Sequence, residues 1–257
     1  MAKDRYIRQI ALPEFGETGQ RRLRAARVLI AGCGALGTNS AETLARAGVG
    51  NILLVDFDRV ERSNLQRQAL MREEDIGQPK AQAVAKALKG INSDIEVSYE
   101  NTRITSTNVE QLIAGVDLVM DGFDNLPSRY LLNDACVKHR TPWIFATVAG
   151  TFGMTMPIIP VQGPCLRCLF PDPAPEEFVL TAGNTGLINT IPRAIVALQS
   201  TQAMKILLGS FEFPAKLTTY DIWQETFSTQ EILRNENCPC CGKEQFVFLE
   251  EMTEKGS

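Results

Sequence analysis

A chain of 257 residues, 44% hydrophobic and 22% charged, can bury one large core, or a main domain with a small appendage, without disulfide staples. No apolar run approaches the eighteen or more residues of a membrane-spanning helix, and Met1–Gln9 lacks the continuous apolar stretch of a secretory signal, so a cytoplasmic protein with no membrane insertion is expected. The formal net charge of -4 repels phosphate backbones and argues against nucleic acid, while the single histidine, His139, excludes chemistry that needs two imidazoles and reads as a surface residue at a helix end.

After a polar lead, Val28–Ala31 reads as a buried strand, and Gly32-Cys33-Gly34-Ala35-Leu36-Gly37 follows it at once. A helix over Ala35–Ala47 is predicted from Leu36, Ser40, Thr43, Leu44 and Ala47 at helical spacing, with Gly48 as its stop. The alternation continues with strand Ile52–Asp56, helix Pro79–Lys89, strand Ile95–Tyr99, a helix near Val109–Ala114, strand Asp117–Asp121, helix Arg129–His139 and strand Trp143–Val148. Strands and helices alternating at these lengths predict an α/β fold, doubly wound around a mostly parallel Rossmann-like sheet, over residues 21–150. Beyond Gly150 the period changes. Met154–Val161 is extended, and Phe170–Gly186, rich in proline, glycine and acid, reads as a mobile loop. A helix over Pro192–Leu208 follows, then Leu217–Trp223 and Phe246–Leu249 as antiparallel strands of a smaller C-terminal part, 151–257, whose last residues from Glu251 fray.

Gly32-x-Gly34-x-x-Gly37 between a strand and a helix, with Asp56 ending the next strand, is the context of a nucleotide-binding fingerprint. Glycines let backbone approach a phosphate, the helix N-terminus favours negative charge, and Asp56 can accept hydrogen bonds from ribose hydroxyls. Asp56-x-Asp58 is followed by Ser63-Asn64-Leu65-Gln66-Arg67-Gln68 and by Pro79-Lys80, and those residues argue for a triphosphate rather than NAD. A P-loop lysine motif is absent from the sequence.

Cys165-Leu-Arg-Cys168 and Cys238-Pro-Cys-Cys241 form two CxxC pairs, each able to give two thiolates to one tetrahedral Zn2+. Four sulfur ligands close the coordination sphere, so a zinc site of this four-cysteine kind is structural. Cys240 is the spare thiol and could replace either ligand of its pair. Cys33 and Cys136 read as small apolar fillers.

Several of these strings recur together in one family. RYIRQ at 5–9, GCGALG at 32–37, LVDFDRVERSNLQRQ at 54–68, IGQPKA at 76–81 and DGFDN at 121–125 make the chain similar to the MoeB/ThiF family along nearly its whole length. That family activates the C-terminus of ubiquitin-like proteins by adenylation. The resemblance implies ATP and Mg2+ as cofactors, with Asp56 on the ribose, Asn64, Arg67 and Lys80 on the phosphates, and Asp124 as the magnesium ligand. It implies nucleotide contacts also at Gly32, Gly34, Ala35, Leu36, Gly37, Asp58, Gln68 and Asn125, and a catalytic set of Arg8, Arg67, Lys80 and Asp124. It further implies a homodimer in which residues 1–20 form an arm at the interface and Arg8 reaches the ATP of the neighbouring subunit. The simpler alternative is that Arg8 fastens the arm to its own subunit.

The sequence departs from the family at one point. Many members carry a further cysteine in the loop after the first CxxC pair, but no cysteine occurs here between Leu169 and Asn237, and the best register puts Ala182 at that place. Thr181 is no substitute, because a hydroxyl leaves almost no anion at neutral pH without a base. The expected product is therefore an acyl adenylate, held or passed to an external sulfur or amine nucleophile. The expected acceptor is a small ubiquitin-like sulfur-carrier protein with a Gly-Gly tail. A short peptide or a modified tRNA base carboxylate fits the same chemistry. An NAD(P)-dependent oxidoreductase would need a hydride-transfer acid and base that the motifs do not supply, and Arg67, Lys80 and Asp124 argue against a nucleotide-binding scaffold.

Overall fold

Val28–Ala31 are all buried, as a strand covered on both faces requires. In the computed structural model, which describes residues 5–173 and 182–250, they belong to strand β1 (Arg27–Ala31). The other strands are β2 (Asn51–Val55), β3 (Glu96–Glu100), β4 (Leu118–Asp121), β5 (Trp143–Ala149), β6 (Phe152–Ile158), β7 (Lys216–Asp221) and β8 (Thr226–Glu231). They form one eight-stranded sheet in the order β3-β2-β1-β4-β5-β6-β7-β8. Pairing is parallel from β3 to β5 and antiparallel from β5 to β8. The expected parallel core and antiparallel C-terminal strands are both present, and the latter prolong the main sheet.

The chain leaves β1 for β2 on one side and returns with β4 on the other, so strand order reverses at β1. A crevice opens at such a switch point, at the carboxyl ends of the strands. Helices α3 (Ala35–Ala47) and α4 (Lys80–Ile91) cover one face, and α5 (Val109–Ile113) and α6 (Leu126–Lys138) belong to the cluster on the other. On the first face Leu44, Leu54 and Leu88 are fully buried, each worth about 1.5–3 kcal/mol of apolar transfer. The second cluster holds Trp143 and Phe145 and reaches down to the cysteines.

The nineteen-residue helix α9 (Thr190–Leu208) lies against α3, β5 and β6. Its buried Gln199 donates from Nε2 to the carbonyls of Asp121 (3.0 Å) and Ile144 (3.1 Å) and accepts from Ser40 Oγ (3.0 Å). One satisfied amide thus ties α3, β4, β5 and α9 together.

Two expectations need correction, and one strand was missed. Phe246–Leu249 is no strand: Val247–Glu250 is a helical turn, α10, on α6, with Phe248 stacked on Tyr130 at 4.9 Å and its N–H bonded to Asp134 (3.0 Å). A four-residue apolar run has no period that separates helix from strand. Helix α6 begins at Leu126, before the expected Arg129, because Asn125 Oδ1 caps it by accepting from the Ser128 N–H (3.0 Å) with a proline in the first turn. Strand β8 was not anticipated: Thr226–Glu231 is exposed throughout and lacks the apolar alternation that marks a half-buried strand. His139 does close α6 on the surface, beside Glu110 (2.6 Å).

The N-terminal segment, α1 (Ile7–Ile10) and α2 (Gly16–Ala25), is held by Arg5, which donates to Asp94 (3.2 Å) and the Ile91 carbonyl (3.0 Å), and by Gln9, which donates to Gln20 (2.7 Å) and the Ala47 carbonyl (2.9 Å). Of the expected loop over 170–186, residues 174–181, and Thr181 with them, lie outside the described residues, as do 251–257. Its last part is the turn α8 (Ala182–Thr185), after which Gly150 and Leu187 form a parallel bridge. A second short turn, α7 (Leu166–Leu169), follows β6. Among the described residues no helix is long and apolar enough to cross a membrane.

Candidate functional site

At the switch point the glycine loop and the end of β4 are pressed together. A Cβ on Gly37 would lie 1.8 Å from the Gly32 carbonyl oxygen, and one on Gly122 would lie 2.4 Å from the same oxygen. Both contacts are backbone, so neither position accepts a side chain without moving a main-chain segment. The loop, the first turn of α3 and the 122–125 segment therefore enclose one cavity of about 420 Å³.

Gly32, Gly34, Ala35, Leu36, Asp56 and Asp58 line that cavity on the loop side, and Asn64, Arg67, Gln68 and Lys80 line it from the segment after β2. Asp124 and Asn125 complete it from the end of β4. Two expected residues are elsewhere. Gly37 packs beneath the loop, and Arg8 is exposed on α1, with no ion pair among the described residues. Fastening of the arm falls to Arg5 and Gln9.

Asp56 is 9% exposed and accepts from the N–H groups of Cys33 (2.6 Å) and Asp58 (2.7 Å). Burial pushes its carboxyl above the ordinary value of 3.8, against the pull of those two donors and of Lys80. Lys80, in the first turn of α4, sets its ammonium 2.9 Å from Asp58 Oδ2. Arg67 donates to the Ser63 carbonyl (2.8 Å), and Asn64 closes its own turn by accepting from the Glu61 N–H (3.2 Å). Asp124 is exposed and, among the described residues, receives one hydrogen bond, from Asn125 Nδ2 (3.2 Å). Gln68 Oε1 is buried at the cavity without a hydrogen-bond partner among the described residues, an amide end open to a ligand.

Two features of the lining escaped the sequence reading. Arg103 lies over the Phe57 ring at 3.5 Å, and both face the cavity. Arg129, 4% exposed, is paired at 2.8 Å with Asp121, which is wholly buried. Burial pushes the Asp121 carboxyl upward while Arg129 pulls it back. The available signal was an aspartate ending a fully apolar strand, since such a charge demands a cation in reach.

Away from the cavity, Cys165, Cys168, Cys238 and Cys241 bring their Sγ atoms within 4.8 Å of one another, a set that could hold a metal ion. Cys165 Sγ is 3.5 Å from Cys238 Sγ, and Cys168 Sγ is 3.4 Å from Cys241 Sγ. Hydrogen bonds from Cys165 and Cys241 pull the Cys168 thiol well below its ordinary value, while those of Cys165 and Cys241 rise. Cys240 stands outside the set, buried, with its Sγ accepting from Asn133 Nδ2 (3.2 Å). Cys33 and Cys136 are both fully buried in the apolar core.

Residues 6–240 match the ThiF family. The chain belongs to the ThiF family. Among curated ThiF relatives, the SAMP-activating enzyme E1 of Haloferax volcanii is 40% identical over 241 residues, covering 93% of this chain and 89% of its own length. A sulfur carrier protein adenylyltransferase of Thermus thermophilus is 39% identical over 94% of this chain and 91% of its own. The sulfur carrier protein ThiS adenylyltransferase of Bacillus subtilis is 39% identical over 95% of this chain and 73% of its own. Among solved structures, the microcin C7 biosynthetic enzyme MccB in complex with N-formylated MccA superposes with a TM-score of 0.82 at 23% identity, over 94% of this chain and 76% of that one, a likeness of fold.

Proposed function

We propose that this ThiF-family chain is an adenylyltransferase that uses ATP to activate the C-terminal carboxylate of a small ubiquitin-like sulfur-carrier protein, releasing pyrophosphate. One observation carries the reading: Arg67, Lys80 and Asp124, drawn from three separate segments, converge with the glycine loop and Asp56 on a single cavity. The names of the relatives support adenylation over hydride transfer.

The donor set fits ATP with Mg2+. A glycine turn at a helix N-terminus lets backbone approach phosphate, Asp56 offers an acceptor to the ribose, and the orphaned Gln68 amide oxygen gains a partner. Arg67 and Lys80 neutralise charge that builds on the departing pyrophosphate. Asp124 would hold the magnesium ion, which supplies further charge neutralisation on the phosphates. An acceptor carboxylate is already ionised at neutral pH, so the reaction needs positioning more than a general base. Without a cysteine between Leu169 and Asn237, the acyl adenylate is the product or is passed to an external sulfur or amine nucleophile.

The four-cysteine set suits structural Zn2+, with Cys240 excluded by its bond to Asn133. The enzyme works in the cytoplasm as a homodimer, with Arg8, unpaired on its own subunit among the described residues, reaching the partner's nucleotide. The unit for nucleotide binding is residues 21–150, and residues 151–257 carry the segment for the acceptor and the zinc site.

The direct test is ATP–pyrophosphate exchange with a carrier ending in Gly-Gly. Asp124→Ala should lower exchange by about 100-fold or more with the melting temperature kept. Unchanged exchange in that variant overturns the magnesium assignment.

A further inference from the structure

Asp121 is wholly buried, and Arg129, 4% exposed, reaches the cavity lining. Asp121 Oδ1 accepts from the Phe123 N–H (2.9 Å), and Oδ2 accepts from Arg129 Nε (2.8 Å) and the Ala146 N–H (3.2 Å). Arg129 Nη2 donates to the carbonyls of Ala146 (3.0 Å) and Phe123. The pair therefore takes both backbone groups of Phe123 and both of Ala146. Phe123 precedes Asp124, and its carbonyl belongs to the peptide bond that enters Asp124. Ala146 precedes Thr147, which lines the same cavity.

We propose that the buried Asp121–Arg129 pair is a positioning clamp that fixes the backbone of 122–125, and with it the Asp124 carboxylate, before metal binds. An exposed aspartate with, among the described residues, a single hydrogen bond from its neighbour has little of its own to hold it. The alternative to a clamp is a segment that must be ordered anew by each arriving metal ion, at a cost in affinity. Arginine suits the task because its planar fork serves a carboxylate and two carbonyls at once, which a lysine ammonium on a flexible stem cannot do in the same geometry. The inference rests on Asp124 as the magnesium ligand.

The test uses the full chain with Arg129→Lys and Asp121→Asn, and Mn2+ as the probe ion. Hydrogen exchange of the metal-free protein should quicken at residues 122–125 in both variants. Free Mn2+ measured by electron paramagnetic resonance with a non-hydrolysable ATP analogue should show affinity about 10–100-fold weaker than in the parent. In pyrophosphate exchange, half-saturation by Mg2+ should rise by a larger factor than KM for ATP at saturating metal, since Arg67 and Lys80 are untouched. Parent-like Mn2+ affinity in folded variants overturns the clamp, and so does loss of folding in both, because the pair is then a support of the fold. Asp124→Ala separates the two claims. If it binds Mn2+ as the parent does, the metal assignment itself fails; if it loses Mn2+ while Arg129→Lys keeps it, the clamp alone fails.

Discussion

Asp56 carries a conflict between burial, which favours its neutral acid, and two N–H donors, which favour the carboxylate. Burial wins, so the carboxyl protonates above its ordinary value of 3.8. A protonated Asp56 is a poorer acceptor for ribose hydroxyls, so ATP affinity should fall on the acid side, beginning above that value. Asp56→Asn should bind ATP about tenfold more weakly and lose that acid limb, because hydrogen bonds to a charged group are the stronger kind. A KM for ATP that follows the same pH profile in variant and parent would contradict this role. At this scale the sequence was informative where motif order constrained it, and the cavity collects Asp56, Lys80, Arg67 and Asp124 from far-apart segments. It was silent on Arg103 over Phe57 and on Arg129 beneath Asp121, because single cations on solvated and buried faces look alike until the chain is folded.

Helix α6 joins the two candidate sites. Its first turns hold Asn125 and Arg129 at the cavity, while Asn133 and Asp134 farther along bond Cys240 and the Phe248 N–H beside the cysteine set. Removing the proposed zinc ion should leave the cavity residues in place on the sheet and loosen the 235–250 segment, lowering the melting temperature by about 5–10 °C for a few kcal/mol lost. Cys168→Ser should lose the ion and Cys240→Ser should keep it, which metal analysis of protein purified without chelator will show. An ion lost with Cys240 would place that thiol among the ligands. Periodic elements were legible: α3 begins and ends where its spacing and Gly48 put it. The short C-terminal run was not, because Val247–Glu250 takes its helical form from packing on Tyr130 and Asp134, neither of which is near it in sequence.

At the scale of the molecule the homodimer is the claim most open to test. An Arg8→Ala subunit mixed with an Asp124→Ala subunit should regain about a quarter to a half of parental exchange if each cavity draws its arginine from the partner, since a mixed dimer holds one intact composite site. Absence of recovery, with mixed dimers demonstrated by mass spectrometry, would return Arg8 to its own subunit. The parallel half of the sheet was readable from the alternation of strand and helix. The continuity of the antiparallel half was not, because an edge strand such as β8 buries nothing and leaves no apolar pattern. Strand β5 belongs to both halves. It pairs with β4 through two register partners and with β6 through seven. A fragment cut after Gly150 would strip that central ribbon of its longer partner and leave a row of unsatisfied amides and carbonyls at a raw margin. Such a truncate would self-associate rather than stand alone, so shortening this chain for biochemical work should begin from its far end.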